Sequence, residues 1–259
     1  MVIWEENHSQ KDVIGSSDAP TFTSVAKSCA SAANYQALTH PSLPNYLAMT
    51  SGVSYARSPF NGDCSPGGSC TAAAPSVFAQ QQQAGKTWKS YAESMPSPCS
   101  PANSGSYAVR HNPAAYYPAL GASCKANDVP MGSPKSGALA TDIRNGALPT
   151  LSTVTPNVDD DMHDGTVGQA DSWLKQWLGI IAGGPDYRSG RLAVVVNWDE
   201  GDGDGNQSSS APLLLLSAST RPSTVLNQPL NDYSVLRTID QISGLPPLAG
   251  AGGAASVLP

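Results

Sequence analysis

Two short runs of consecutive apolar residues most constrain how this chain can fold. They are LAVVVNW at residues 192–198 and PLLLLSAS at residues 212–219. Both have the length of a strand and lack alternating polar positions, which is typical of strands that are buried on both faces. Such strands belong to sheets that helices cover on each side. The shorter run MVIW at residues 1–4 has the same character.

Segments with helical character separate these strands. Residues 168–184 carry tryptophan, leucine and isoleucine at helical spacing, residues 231–244 form an amphipathic pattern that ends in glycine, and residues 20–38 are also helix-like. The alternation predicts an α/β fold with a largely parallel central sheet and helices on both faces. We expect one domain over residues 1–247, followed by a disordered Ala/Gly-rich tail over residues 248–259.

Composition excludes several classes of partner. Only 13% of the residues are charged, against about 25% in an ordinary soluble protein, and 24 glycines and 22 prolines indicate many loops. The formal net charge of −6 argues against a nucleic-acid partner. The sequence contains no basic cluster and no long apolar stretch, so we expect no stable membrane anchor.

Five cysteines bear on the compartment: Cys29, Cys64, Cys70, Cys99 and Cys124. The last four lie in a region rich in Gly, Pro and Ser without C-x-x-C spacing, which favours disulfides that fasten loops over metal ligands. We expect Cys64–Cys70 and Cys99–Cys124 with Cys29 unpaired, although the sequence leaves other pairings open. Disulfides imply a secreted, periplasmic or extracellular protein. Because no signal peptide precedes the first strand here, we expect that an export signal was removed or that the start is truncated.

Three polar clusters each follow a predicted strand. EENHS comes after the first strand, and VDDDMHDG at residues 158–165 follows TLSTVTPN at residues 150–157, which we also predict to be a strand. Asp199, Glu200 and Asp202 follow the run at 192–198. Ligands of open α/β sheets bind beyond the carboxyl ends of the strands. Carboxylates that converge there repel each other unless a cation neutralises them. The residues therefore predict a site for a hard divalent cation with mostly oxygen ligands.

DGDGN at residues 202–206 also resembles the start of a calcium loop. It lacks the downstream bidentate glutamate, so we interpret it as a flexible loop, with a calcium-binding loop as the alternative.

A serine and four histidines add to these carboxylates. Ser42 lies between two prolines in THPSLPNYLAMTSG, which predicts a short helix that ends at Gly52. A helix N-cap is the simplest role for this serine, and it is compatible with a nucleophile. The histidines, His8, His40, His111 and His163, all lie in polar motifs and predict a histidine-lined pocket. Together these groups suit phosphoryl transfer.

Six motifs carry a resemblance to a known family. In chain order they are EENHS, HPSLPNYLAMTSG, YAESMP, RHNPAAYY, TPNVDDDMHD and VVVNWDEGDG. The resemblance covers residues 3–245 approximately. The chain resembles the phosphoesterase branch of the alkaline-phosphatase superfamily, which includes bacterial and fungal acid phosphatases and bacterial phospholipases C. The resemblance implies an alkaline-phosphatase-like fold with loop-rich, disulfide-bearing insertions.

The resemblance also implies a site. It assigns one metal ion, Ca²⁺ with Mg²⁺ or Zn²⁺ as alternatives, to Glu6, Asn7, Ser42, Asp199 and Glu200. SLPN is similar to the TFPN run of nucleotide pyrophosphatases, whose threonine is the nucleophile, so Ser42 is the expected nucleophile. By the same resemblance, His111 and His163 contact the phosphate, and Asp161 and His40 belong to the pocket.

The implied function is a secreted, metal-dependent phosphomonoesterase, similar to acid phosphatases, that works through a phosphoserine intermediate. The expected substrate is a small-molecule or lipid phosphate ester. A phospholipase C or other phosphodiesterase and a phosphoinositide phosphatase are the enzymatic alternatives. A catalytically silent phosphate-binding protein is the alternative from another class.

Overall fold

One eight-stranded sheet organises the computed structural model, which describes residues 1–202 and 210–258. The strands in chain order are β1 Val2–Glu5, β2 Ala30–Ala32, β3 Trp88–Ala92, β4 Asp128–Pro130, β5 Leu151–Thr155, β6 Val194–Trp198, β7 Leu213–Leu216 and β8 Thr224–Leu226. Their order across the sheet is β4-β3-β5-β1-β6-β7-β2-β8. The three apolar runs of the sequence are strands β1, β6 and β7, all near the centre.

The sheet is mostly parallel. Strand β1 pairs in parallel with β5, where Val2 faces Thr153, and with β6, where Glu5 faces Trp198. Strand β7 is antiparallel to both β6 and β2. The carboxyl ends of β3, β5, β1 and β6 therefore meet at one edge of the sheet, which confirms the α/β fold with a largely parallel sheet.

Nine α-helices are present in the described ranges. They are α1 Gln10–Val13, α2 Pro20–Ser28, α3 Ser42–Ser51, α4 Val77–Gln83, α5 Ala122–Asn127, α6 Ala138–Asn145, α7 Val167–Gly183, α8 Pro185–Arg188 and α9 Asp232–Ser243. Short 3₁₀ helices cover Phe60–Gly62, Val109–His111, Pro113–Tyr116, Pro118–Leu120 and Ala249–Gly253. One group of contacting helices contains α3, α4 and α9, and another contains α2, α6, α7 and α8. Such layers on a sheet bury both of its faces.

Helix α3 is buried along its whole length, unlike most helices of a small domain. It ends at Gly52, whose φ of 73° is in the left-handed region that glycine tolerates best. A Cβ at this position would lie 2.4 Å from the carbonyl oxygen of Leu248, so the chain approaches closely there.

The expectation of a disordered tail after residue 247 is wrong for the described residues. Ala249–Gly253 is a 3₁₀ helix, and the amide of Gly250 donates to the carbonyl oxygen of Gly52 at 2.9 Å. Ala251 and Val257 are fully buried. Small residues suit this segment because its backbone packs directly against the end of α3.

The predicted helix over residues 20–38 is too long. Helix α2 ends at Ser28, and Ala30–Ala32 forms strand β2 between β7 and β8. A strand of three small residues carries no apolar signal of its own, since its neighbours in the sheet supply the pairing.

The disulfide expectations are confirmed. Cys64 pairs with Cys70 and Cys99 pairs with Cys124, while Cys29 is free. Among the described residues, no helix has both the length and the apolar character needed to cross a bilayer. Most of the DGDGN run at residues 202–206 lies outside the described residues.

Candidate active site

The site begins where two neighbouring strands end. Glu6 and Asn7 follow β1, and Asp199 and Glu200 follow β6. Because Glu5 and Trp198 are register partners, both pairs leave the sheet side by side. The turn after β1 is tight, with Asn7 at a φ of 36° in the region that asparagine tolerates better than most residues.

Residues after β5 join the same edge. The amide of Glu6 donates to the carbonyl oxygen of Asp161 at 2.9 Å, which ties the turn after β1 to the loop after β5. The amide of His163 donates to Asp161 Oδ1 at 2.8 Å. Asp161 is fully buried, while the side chain of His163 is about a quarter exposed. The loop therefore presents a buried carboxylate and an imidazole nearer to solvent.

Helix α3 supplies the serine and a tyrosine. Ser42 Oγ donates to Glu6 Oε2 at 3.0 Å, and Tyr46 Oη donates to Glu6 Oε1 at 2.6 Å. Ser42 and Tyr46 are four residues apart, so they lie on one face of the helix. Each therefore binds one oxygen of the same carboxylate, and all three side chains are at most 2% exposed.

The sequence interpretation of Ser42 as a helix N-cap requires a correction. Pro41 occupies the N-cap position, and Ser42 is the first helical residue. The side chain of Ser42 donates to Glu6, and the amide of Leu43 donates to Asp63 Oδ1 at 3.0 Å. Ser42 Oγ is therefore available to the carboxylates at the sheet edge.

Asn7, Glu200 and His40 form a second side of the cluster. With its amide nitrogen turned toward the carboxylates, Asn7 donates to Glu200 Oε1 at 2.8 Å and to Glu6 Oε2 at 3.1 Å. In the reverse orientation the amide oxygen would face these two carboxylates, an arrangement that a bound cation would stabilise. His40 Nδ1 lies 2.6 Å from Glu200 Oε2.

His111 lies at the centre of the cluster. Its Nδ1 is 3.1 Å from Asp161 Oδ2, and its ring stacks on Tyr46 with centroids 5.3 Å apart. Its Nε2 is 3.1 Å from Glu6 Oε1 but has no hydrogen-bond partner. Burial, with the positive charge of Arg110 as the next cause, lowers the pKa of His111 well below its usual value. The imidazole is therefore neutral at neutral pH.

His163 is held between an arginine and an aspartate. Arg110 Nη2 lies 3.0 Å from His163 Nε2, and His163 Nδ1 lies 2.6 Å from Asp164 Oδ1. Arginine can only donate, so Nε2 is the accepting nitrogen and Nδ1 carries the proton in this arrangement. Arg110 Nε also lies 3.8 Å from Asp63 Oδ2.

The electrostatics of the site are dominated by buried carboxylates. Burial, followed by the charge of Asp161 and then of Glu200, raises the pKa of Glu6 well above its usual value. Burial and the charge of Glu6 do the same for Asp199. Burial, with Asp199 as the next cause, raises the pKa of Glu200 to about 10. The folded chain thus gathers acids that its own residues do not neutralise.

These residues fit a bound divalent cation. Both carboxylate oxygens of Asp199 are buried without a hydrogen-bond partner, which is costly unless another group satisfies them. Glu6, His111 and His163 each place one ligand atom within 4.8 Å of the others. A second such group, Cys99, Cys124 and Asp128, contains a disulfide and so offers no thiolate.

The structure brings most of the sequence-predicted site residues together. Direct contacts join Glu6, Asn7, Ser42, Glu200, His40, His111, Asp161 and His163, and Asp199 lies close enough to shift the pKa of Glu200. His8 contributes less, because it contacts the backbone of the cluster and not its functional side chains. Its Nδ1 lies 3.4 Å from the backbone oxygen of Glu6.

Sequence reasoning missed Tyr46, Arg110 and Asp63. Two of them carried a usable signal. Tyr46 is four residues after Ser42 on a predicted helix, and Arg110 directly precedes His111. Asp63 gave no signal, because only the fold brings its loop to the start of α3.

Comparisons with known proteins identify the family of this chain. The model of the Phosphoesterase family matches residues 2–246. A phosphatidylinositol-3-phosphatase of Mycobacterium tuberculosis is 34% identical over 252 residues, which cover 95% of this chain and 77% of the relative. A probable acid phosphatase of Kluyveromyces lactis is 27% identical and an acid phosphatase of Aspergillus fumigatus is 25% identical, each over 87% of this chain. The matches span only 54% and 51% of these two fungal proteins.

Solved structures share the fold at low sequence identity. A lipoteichoic acid synthase from Listeria monocytogenes has a TM-score of 0.69 at 10% identity, covering 97% of this chain and 73% of that one. A protein in the alkaline phosphatase superfamily from Vibrio parahaemolyticus has a TM-score of 0.64 at 10% identity, covering 94% and 65%. The alkaline phosphatase from the Antarctic bacterium TAB5 has a TM-score of 0.53 at 9% identity, covering 95% and 97%.

The family match covers nearly the whole chain, the first relative exceeds 30% identity over most of its length, and the sheet is that of alkaline-phosphatase-like proteins. The chain therefore belongs to the Phosphoesterase family, and it is a hydrolase that acts on phosphoric ester bonds.

Proposed function

We propose that this protein is a metal-dependent phosphomonoesterase that uses Ser42 as its nucleophile and passes through a phosphoserine. The observation that carries the proposal is the hydrogen bond from Ser42 Oγ to the buried carboxylate of Glu6. A serine at the first position of a buried helix, facing acids at the carboxyl edge of a parallel sheet, is placed for attack on an anion.

The first half of the reaction forms the phosphoserine. Ser42 Oγ attacks phosphorus in line, the bond from phosphorus to the ester oxygen breaks, and the alcohol leaves. The start of α3 favours the negative charge that develops on the phosphoryl oxygens. In the second half, water attacks phosphorus, and the bond to Ser42 breaks to release phosphate.

The divalent ion supports this reaction through the oxygen-rich cluster. Glu6, Asn7, Ser42, Asp199 and Glu200 are the proposed ligands, and Ca²⁺ is the ion that this set suits best, with Mg²⁺ or Zn²⁺ as alternatives. When bound, the ion lowers the pKa of the serine hydroxyl and offsets negative charge on the phosphate.

Histidines and an arginine line the remaining space. Ser42 is 2% exposed, so the bulk of the substrate must extend toward the exposed side, where His163 lies. We assign proton donation to the leaving oxygen to the imidazolium form of His163: once Arg110 turns from Nε2 to the phosphate, Nε2 takes a proton from solvent and passes it to the leaving oxygen, while Nδ1 keeps its own proton toward Asp164. Asp161 holds Nδ1 of His111, and His40 supports Glu200.

Arg110 favours a monoester over a diester. Among the hydrogen bonds and ion pairs of the described residues, it is the one Lys or Arg side chain that contacts this site. A dianionic monoester gains more from a guanidinium than a monoanionic diester does. A phosphodiesterase or phospholipase C is therefore the less favoured reaction.

A phosphoinositide is a second candidate substrate. The phosphatidylinositol-3-phosphatase relative at 34% identity favours it, and the phosphate at a ring hydroxyl is itself a monoester. The same Ser42 chemistry would serve both substrates. The two disulfides also support a protein of an oxidising compartment, so we propose that it is secreted.

The experiment compares p-nitrophenyl phosphate with its bis ester, with and without EDTA, alongside Ser42→Ala. We expect faster cleavage of the monoester, loss of activity in EDTA that Ca²⁺ restores, and no turnover by the variant. Faster cleavage of the diester would favour a phosphodiesterase. Cleavage of neither ester by a metal-loaded, folded protein that still binds phosphate would favour the silent binder.

A further inference from the structure

Asp63 makes contact with two parts of the site that are far apart in the sequence. Its Oδ1 accepts a hydrogen bond from the amide of Leu43 at 3.0 Å, directly after Ser42. Its Oδ2 lies 3.8 Å from Nε of Arg110. One carboxylate thus contacts both the helix that carries Ser42 and the guanidinium of Arg110, which in the proposed reaction turns to the phosphate.

The loop around Asp63 is built to hold this side chain. Asp63 has a φ of 48°, and its amide donates to the carbonyl oxygen of Phe60 at 3.0 Å. Phe60 is buried against Tyr55. On the other side, Cys64 forms a disulfide with Cys70. Anchors therefore flank Asp63 on both sides, which an ordinary surface loop would not need.

The negative charge of Asp63 is by itself unfavourable at this position. An additional carboxylate near a phosphate site opposes anion binding, and the charge of Asp63 also contributes to the raised pKa of Glu200. A residue that served only to begin α3 could be serine, threonine or asparagine. An aspartate is needed where the second contact is a guanidinium.

We propose that Asp63 is a positioning residue, delivered by the Cys64–Cys70 loop, that fixes Arg110 and the start of helix α3 relative to each other. The inference rests on the proposed function. In this view, a loop outside the predicted motifs aligns the nucleophile Ser42 with Arg110, the side chain that binds the phosphate. Alignment of this kind acts on both substrate binding and the chemical step.

Two substitutions separate the contacts. Asp63→Asn keeps an oxygen for the amide of Leu43 but removes the charge that faces Arg110. Asp63→Ala removes both. We expect Asp63→Asn to raise KM for p-nitrophenyl phosphate and the inhibition constant of inorganic phosphate by about 3- to 10-fold with kcat nearly unchanged. Asp63→Ala should in addition lower kcat by about 10-fold or more.

Asp171 provides a matched control. Its Oδ1 accepts hydrogen bonds from the amides of Thr21 and Phe22 at 2.7 and 3.0 Å. Asp171 therefore caps the first turn of helix α2 as Asp63 caps that of α3. Asp171→Asn should leave KM, kcat and the phosphate inhibition constant within about 2-fold of the wild type. Cys64→Ser with Cys70→Ser should shift KM in the direction of Asp63→Asn.

The outcomes separate this inference from the proposed function. A wild-type protein without activity on either ester removes the proposed function. An active wild type in which Asp63→Asn and Asp171→Asn give the same kinetic constants, with both variants folded by circular dichroism, overturns the positioning role of Asp63. A loss of kcat in Asp63→Ala that merely follows its loss of thermal stability overturns it too.

Discussion

Tyr46 Oη donates to Glu6 Oε1 at 2.6 Å, across a separation of 40 residues. The bond leaves Oε2 of the same carboxylate to Ser42. Tyr46 also stacks on His111 and packs edge-on against Trp4 at 5.2 Å. One turn of α3 therefore orients the acid, the imidazole and the hydroxyl of the proposed site.

Removing the Tyr46 hydroxyl tests this arrangement. In Tyr46→Phe the ring still packs, but Glu6 can rotate, so we expect the affinity for Ca²⁺ or the turnover rate to fall by about 10- to 100-fold. Isothermal titration calorimetry and steady-state kinetics measure the two quantities. Tyr117→Phe is the control, because the hydroxyl of Tyr117 lies 2.7 Å from Oγ1 of Thr50, which is also a residue of α3. Equal effects of both variants would contradict a special role for Tyr46.

Replacing Asp199 by asparagine should have opposite effects on stability with and without the ion. Its two buried oxygens have no hydrogen-bond partner, so the metal-free Asp199→Asn variant should be more stable than the wild type, by about 1–3 kcal/mol. A ligand at 100 times its Kd adds about 2.7 kcal/mol to the wild type. Asp199→Asn should gain much less from Ca²⁺. Thermal unfolding in EDTA and in Ca²⁺ measures both effects, and a less stable metal-free variant would contradict the account.

Asp128 predicts how stability depends on pH. Burial raises its pKa to about 7, against the hydrogen bond from Asn112 that lowers it. The folded state then holds a proton that the unfolded state releases near pH 4, so this contribution is full below pH 4 and is lost as pH rises through 7. At about 1.4 kcal/mol per pKa unit it amounts to at most about 4 kcal/mol.

Asp128→Asn should remove this contribution. Its free energy of unfolding should fall less between pH 4 and pH 8 than that of the wild type, as measured by urea denaturation at fixed temperature. Parallel pH curves for the two proteins would contradict the buried, proton-binding state of Asp128.

The close approach at Gly52 predicts a destabilising substitution. A Cβ there meets the backbone of Leu248, whereas a Cβ at Gly244, also in the left-handed region at the end of a helix, meets nothing within 4 Å. Both Gly52→Ala and Gly244→Ala carry the strain of the positive φ, about 1 kcal/mol or more. Gly52→Ala should therefore lower the melting temperature further. Equal losses would mean that residues 248–258 do not pack against α3 in solution.

The sequence predicted those parts of the fold that carry their own signal. Strands β1, β6 and β7 are apolar throughout, and helix α7 has apolar residues at helical spacing, so each could be identified alone. Strands β2, β4 and β8 have three residues each and depend on their partners in the sheet. Their sequences therefore gave no basis for a prediction.

The same distinction applies to the candidate site. Glu6, Asp199 and His163 lie in motifs at strand ends, where the topology of a parallel sheet predicts that they meet. The tail after residue 247 was misjudged because its small residues resemble a linker, although they allow a close backbone contact. Arg110 and Asp63 meet only through a disulfide-bearing loop.

The most direct test of the account is to trap the phosphorylated enzyme. The metal-loaded protein would be mixed with p-nitrophenyl phosphate, quenched in acid within milliseconds, digested and analysed by mass spectrometry. The account predicts an added phosphoryl group on Ser42, and none in Ser42→Ala or in wild-type protein treated with EDTA. A phosphoryl group on another residue, or undiminished turnover by Ser42→Ala, would contradict it.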